Sequence, residues 1–111
     1  MTTFQADHHE KLLRHIVYFK YKEGTSDETI AKIKKAFADL KNTIEKIKAF
    51  EKGINNSPED LNRGFKHCQL LTFDSEKGRD SHLKHPEHVK FGRLVMPPLE
   101  DVFVIDYRAK E

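Results

Sequence analysis

The ordered part of this sequence begins with an alternation. From Leu12 to Tyr21 the chain is rich in β-branched and aromatic residues, and Leu13, His15, Val17 and Phe19 fall on one face of a predicted strand. Arg14, Ile16, Tyr18 and Lys20 take the other face, which is itself half apolar and so calls for a cover such as another subunit. Glu23-Gly24-Thr25-Ser26 ends the strand, and the period then changes. Ile30, Ile33, Phe37 and Leu40 form a single apolar stripe, predicting a helix over 26–40. Ser26 is placed to cap it, and Asp27 and Glu28 suit the positive end of its dipole. Ile44 and Ile47 pack a connector that either extends the helix or makes a short turn.

A second strand is expected over 48–55. The loop after it is marked by Gly53, Asn55-Asn56, Ser57-Pro58 and Gly64, and Pro58-Glu59-Asp60-Leu61 fits one helical turn. A third strand is expected over 65–73, with Phe65, His67, Gln69, Leu71 and Phe73 alternating against Lys66, Cys68, Leu70 and Thr72. Asp74-Ser75 opens a second helix, weakened by Gly78 at about 1 kcal/mol against alanine. It has to stop ahead of Pro86, which suits the first position of a third helix with Val89, Leu94 and Val95 as core candidates. Pro97-Pro98 ends that helix. A last strand over 101–108 sets Val102, Val104 and Asp106 against Phe103, Ile105 and Tyr107.

The order is β-α-β-β-α-β, the last helical region being split by Pro86. This is an α+β, ferredoxin-like pattern: an antiparallel sheet with helices on one face and the other face open. An apolar open face on so small a domain points to a homodimer. The domain is read as 12–108. Residues 1–11 lack periodicity and read as a loose arm, on which Asp7-His8-His9-Glu10 is an accident of sequence rather than a metal site.

Composition narrows the function classes. At 111 residues there is room for one core only. Twenty basic against 18 acidic residues, interleaved, give a formal +2 and no nucleic-acid surface. The single cysteine, Cys68, excludes an internal disulfide and fits a reducing compartment. There is no secretory pattern at the N-terminus and no apolar run of membrane-spanning length, so a cytoplasmic protein away from membranes is expected. No glycine-rich phosphate loop, nucleophile elbow or paired-carboxylate motif is present, and no cofactor is expected.

The candidate chemistry lies in His82-Leu83-Lys84-His85-Pro86-Glu87-His88, where three histidines are spaced by three. That spacing suggests zinc, but Pro86 interrupts the helix that would align the rings and no fourth ligand stands nearby, so no metal site is expected. His85, next to the proline, is read as capping the turn. His88 is open to two readings, a general base or a residue ordering the turn through the backbone. Cys68 alternates away from His67, which argues against a thiol–imidazole dyad.

A set of short motifs then suggests a family. These are Leu13-Arg14-His15-Ile16-Val17 leading into Phe19-Lys20, Ala49-Phe50-Glu51 with Gly53 and Asn55, and Arg63-Gly64-Phe65-Lys66-His67. Thr72-Phe73, His85-Pro86-Glu87-His88 and Val104-Ile105-Asp106-Tyr107 complete it. In this order and spacing, over 12–108, they resemble the stress-responsive dimeric α/β-barrel (Dabb) family, including its olivetolic acid cyclase branch of polyketide cyclases. The resemblance implies a homodimer in which two ferredoxin-like sheets face each other as a barrel. It implies a helix-side pocket lined by His15, Val17, Phe19, Ile33, Phe37, His67, Gln69, His82, His88 and Phe91, suited to a small apolar or polyketide-like ligand. His88 matches the cyclase base. A tyrosine that assists it six residues earlier is here His82. The expected function is a homodimeric Dabb protein with a histidine-lined pocket and no assigned reaction. The alternatives are a cyclase-like lyase with His88 as base and His82 or His15 orienting a carbonyl, or a cofactor-free monooxygenase. The enzymatic reading requires a cavity that opens to solvent and touches His88.

Overall fold

The computed structural model describes residues 12–109 as seven elements: β1 (Leu13–Tyr21), α1 (Asp27–Thr43), β2 (Ala49–Ile54), β3 (His67–Phe73), α2 (Glu76–Lys84), α3 (Pro86–Val95) and β4 (Leu99–Arg108). The arm expected over 1–11, with its Asp7-His8-His9-Glu10, lies outside the described residues. The strands form one sheet in the order β2-β3-β1-β4, every neighbouring pair antiparallel. This is the ferredoxin-like split β-α-β arrangement that the element order predicts. Among the described residues no helix is long and apolar enough to cross a membrane.

Burial alternates along β1 as its pattern requires. Leu13, His15, Val17 and Phe19 are buried beneath the helices, and Arg14, Ile16 and Tyr18 are part-open on the other side. Ile33, Phe37 and Leu40 of α1, Ile44 and Ile47 after it, Phe91 and Val95 of α3, Leu71 and Phe73 of β3, and Leu99 of β4 complete the core. Ile33, Leu71 and Phe73 are at most 1% exposed, and burial of each contributes roughly 1.5–3 kcal/mol.

Four local details differ from the sequence pattern, each for a visible reason. Helix α1 runs to Thr43 because its stripe continues one turn beyond Leu40 to Ile44, which is 2% exposed and forms the C-cap. Pro58–Leu61 makes a turn, not a helix: Ser57 Oγ accepts from Glu59 N, but Asp60 takes φ 59° and leaves the helical path. Strand β3 starts at His67, since Arg63 and Gly64 turn the chain at φ 54° and 84° and send Phe65 to the open face against Phe103. Glycine suits that turn because φ of 84° lies in the left-handed region that side chains rarely adopt. In α3 the core face carries Phe91 and Val95, while Val89 and Leu94 are 44% and 45% exposed.

The open face is continuous across β1 and β4. Phe103, Ile105 and Tyr107 pair with Tyr18, Ile16 and Arg14 and are 42–50% exposed. Tyr18, Phe103 and Phe65 form a ring cluster there.

Candidate functional site

The helix side of the sheet brings the histidines to two separate places. The first is built at the start of β1. His15 faces the helices, and the β1–β4 register sets it opposite Asp106. Its Nδ1 lies 2.9 and 3.0 Å from the two carboxylate oxygens. A carboxylate only accepts, so Nδ1 carries the proton and Nε2 is left for other work. The other side of Asp106 is held by Arg79, whose Nη1 donates to Oδ2 at 2.9 Å. Arg79 stands three residues before His82 on α2, on the same side of that helix.

The break between α2 and α3 brings His82 and His88 together. Ser75 Oγ caps α2 through Gly78 N, and α2 ends at Lys84. His85 closes α2 and opens α3, its Nδ1 accepting from Glu87 N at 3.0 Å with Pro86 in the first helical turn. His82, in the last turn of α2, and His88, in the first turn of α3, therefore face each other across the bend, ring centres 4.5 Å apart and edge to face. His82 also contacts His15 at 6.0 Å and Phe73 at 5.3 Å. It is 1% exposed, and its Nδ1 has no partner among the described residues.

Burial pushes the His82 pKa down to about 3, with repulsion from His88, His15 and His85 adding to it. His88 is lowered in the same direction by burial and then by His15, while a backbone hydrogen bond at Leu83 pulls it partly back. Both rings are therefore neutral at pH 7, with a basic lone pair each. His88 is half-buried and still meets solvent. The trio can move protons: one imidazole oriented by a carboxylate, one fully buried, and one at the edge.

The second place lies at the far end of β1 and β3. His67 pairs with Phe19, and Gln69 with Val17. Tyr21 continues the buried-face series and packs edge-on against His67 at 5.1 Å. Tyr21 Oη, His67 Nδ1 and Gln69 Oε1 are all buried without partners among the described residues. Burial drives the Tyr21 hydroxyl up to about 12. It also lowers His67, which Lys34 and Lys66 depress further. A cavity of about 220 Å³ opens here, lined by Lys34, Lys52, Gly53, Ile54, His67 and Gln69.

Between these ends the core is aromatic. Phe37 lies 4.7 Å from Phe91, 5.8 Å from Phe19 and 5.3 Å from Phe50, and Phe19 stacks on Phe91 at 6.5 Å. Val17 and Ile33 are buried in the same core. The ten residues expected to line one pocket thus fall into three groups: His15, His82 and His88; the apolar five, Val17, Phe19, Ile33, Phe37 and Phe91; and His67 with Gln69. Five cavities among the described residues, of about 220 to 490 Å³, are lined by other residues than His15, His82 and His88. Arg79, Tyr21, Lys34 and Lys52 were not singled out by the sequence. Arg79 was legible from its spacing to His82, and Tyr21 from the odd-numbered series in β1. Among the described residues no group of three or more His, Cys, Asp or Glu is arranged to hold a metal ion.

Comparison with known proteins adds to this geometry. The family model described as "Stress responsive A/B Barrel Domain" matches residues 13–109. The chain is 36% identical to stress-response A/B barrel domain-containing protein HS1 of Arabidopsis thaliana, over 86% of this chain and 88% of that one. It is 23% identical to olivetolic acid cyclase of Cannabis sativa, over 89% and 98% of the two chains. Among solved structures, hydroxynitrile lyase from Passiflora edulis superposes with a TM-score of 0.86 at 28% identity, covering 92% of this chain and 96% of that one. A protein from Thermobifida fusca described as dimeric and ferredoxin-like shares the fold with a TM-score of 0.75 at 20% identity, over 87% and 90% of the two chains.

Proposed function

From the premise that this chain belongs to the stress-responsive A/B barrel domain family, we propose that it is a homodimer holding a small carbonyl compound on the helix side of its sheet, with His88 as general base; none of the described cavities touches His88, so this reading requires Phe19, Phe37 and Phe91 to part and admit the compound. The observation that carries this reading is the contact of His82 with His88 at 4.5 Å, both rings lowered in pKa and hence neutral at pH 7. A neutral imidazole accepts a proton from a carbon acidified by neighbouring carbonyls, or from a hydroxyl whose carbon then releases a stabilised carbanion. His88 becomes imidazolium in that step and returns the proton to the product. His82, buried and neutral, keeps one N–H to donate to the carbonyl oxygen. His15 is the third ring beside them, held by Asp106, which Arg79 anchors in turn. Two relatives whose names denote a cyclase and a lyase fit chemistry of this class.

The close packing of Phe19, Phe37 and Phe91 favours a second reading, in which the protein binds without turnover, because the rings fill the space that a deep pocket beside His88 would use. One experiment separates the two. Release of aldehyde from mandelonitrile and deuterium exchange at the central carbon of acetylacetone are followed with the parent and with His88→Ala. A base role predicts acceleration of at least one reaction, reduced by about 10²–10⁴ in the variant. Equal rates in the two proteins, both folded by circular dichroism, would remove His88 from the chemistry.

The homodimer reading rests on the open face. Phe103, Ile105 and Tyr107, with Tyr18 and Phe65, present an apolar strip along a ten-residue edge strand. Such a strip invites aggregation unless covered, and a second copy covers it isologously, sheet against sheet.

A further inference from the structure

We infer that the cavity between α1 and the β2–β3 edge is a binding site for a small carboxylate that carries a hydroxyl group, with Lys34 and Lys52 at its mouth and the His67 and Gln69 side chains at its floor. This deepens, and rests on, the reading of the helix side of the sheet as a small-molecule site. Charge points first to an anion. Two of the six lining residues are lysines and none is acidic. Lys35, next to Lys34 in sequence, is engaged with Asp39 at 3.0 Å, and Lys48 meets Asp74 at 3.6 Å. Lys34 and Lys52 make no ion pair among the described residues. An uncompensated pair of ammonium groups at the mouth of a cavity favours an anion, and partial enclosure weakens the solvent screening that would blunt the attraction.

The floor supplies the direction and the second functional group. Gln69 is 3% exposed and its Oε1 is buried without a partner, as is His67 Nδ1. A buried polar atom left without a hydrogen bond is costly in a folded protein, so two of them on residues that line one cavity mark a place where a ligand that draws these side chains toward it completes the bonding. Gln69 Oε1 accepts, and therefore calls for a donor on the ligand, which a hydroxyl provides. Burial, with Lys34 and Lys66 adding to it, holds the His67 ring toward its neutral form, which leaves that ring one N–H to give to a ligand oxygen. A cavity of about 220 Å³ admits a compound of a few heavy atoms, such as a short hydroxy acid.

The test is titration of the full chain with 3-hydroxybutyrate, its neutral amide, butyrate and inorganic phosphate, followed by ¹H–¹⁵N shifts of the Gln69 side-chain amide and the His67 ring. The expected result is binding of 3-hydroxybutyrate that weakens as salt rises, with a Kd at least about tenfold higher in the Lys34→Gln/Lys52→Gln double variant. Gln69→Leu should reduce 3-hydroxybutyrate to the affinity of butyrate. Lys52 is exposed and Lys34 is only part-buried, and neither belongs to the core, so their replacement leaves the core intact. Equal binding of the amide, equal affinity in the double variant, or phosphate binding as tightly as 3-hydroxybutyrate would each overturn the assignment. The same titration in His88→Ala keeps the two proposals apart: carboxylate binding should persist there whether or not that variant loses turnover.

Discussion

Replacing His82 by leucine isolates the largest electrostatic consequence of this fold. The ring is 1% exposed, packed on Phe73 and His88, and its pKa falls from 6.5 to about 3. In the unfolded chain the same ring titrates near 6.5, so below that pH the unfolded state binds the extra proton and stability declines as pH falls. At pH 7 both states are largely neutral and the contribution is small. At pH 5 the unfolded ring is almost fully protonated while the folded ring is not, which costs the folded state about 2 kcal/mol relative to pH 7 for a shift from 6.5 to about 3. The loss continues to grow toward pH 3. Leucine is close in volume and removes the unpartnered Nδ1, so the variant should be at least as stable as the parent at pH 7. Urea unfolding at pH 7, 6 and 5, at one protein concentration and ionic strength, measures the difference. Carboxylates and the other histidines titrate in both proteins and largely cancel. The parent should lose about 2 kcal/mol more than His82→Leu between pH 7 and pH 5. Parallel pH profiles would refute the claim that this ring is buried neutral.

Two further changes probe the surrounding framework. Asp106→Asn removes the charge that faces both His15 and Arg79 at 2.9 Å, and should cost about 1–3 kcal/mol in urea unfolding while releasing His15 from its single tautomer in long-range ¹H–¹⁵N spectra. Unchanged stability together with an unchanged tautomer would contradict the pairing. Ile105→Asp places a charge in the middle of the open apolar strip, so light scattering should find about twice the 13.0 kDa chain mass for the parent and a single chain for the variant. A parent that runs as a single chain at micromolar concentration would refute the homodimer.

The parts of this fold legible from the sequence are those set by local period. The alternation in β1 places His15 under the helices without reference to any other strand, and Ser26 and Pro86 mark two helix starts through their own backbone requirements. Where two signals compete, the pattern misleads. Phe65 extends the alternation of β3 on paper, but Arg63 and Gly64 adopt positive φ just before it and turn it onto the opposite face. The site is less legible because it depends on distant chain meeting distant chain. Alternation puts Asp106 on the same face as Val102 and Val104, yet only the β1–β4 register brings it to His15, 91 residues away. The three-residue spacing of His82, His85 and His88 suggests three aligned rings. The helix break instead turns His85 into a cap and folds His82 onto His88.

The aromatic core bears on how the two polar ends relate. His15 and Phe19 are four residues apart on β1, about 13 Å along the strand, and His67 lies at the level of Phe19. A ligand anchored at His67 and Gln69 that also touched His88 would have to cross the space held by Phe19, Phe37 and Phe91. These rings are 7% exposed or less, and parting them forgoes part of the roughly 1.5–3 kcal/mol that burial of each contributes. A long ligand would recover this by burying its own apolar chain in place of the rings, whereas a short hydroxy acid has no such chain and stays at its own end. A compound with a polar head and a long apolar tail is therefore the one kind that gains from joining the two sites. For small compounds, the two proposed sites at the His67 end and the His88 end should bind independently.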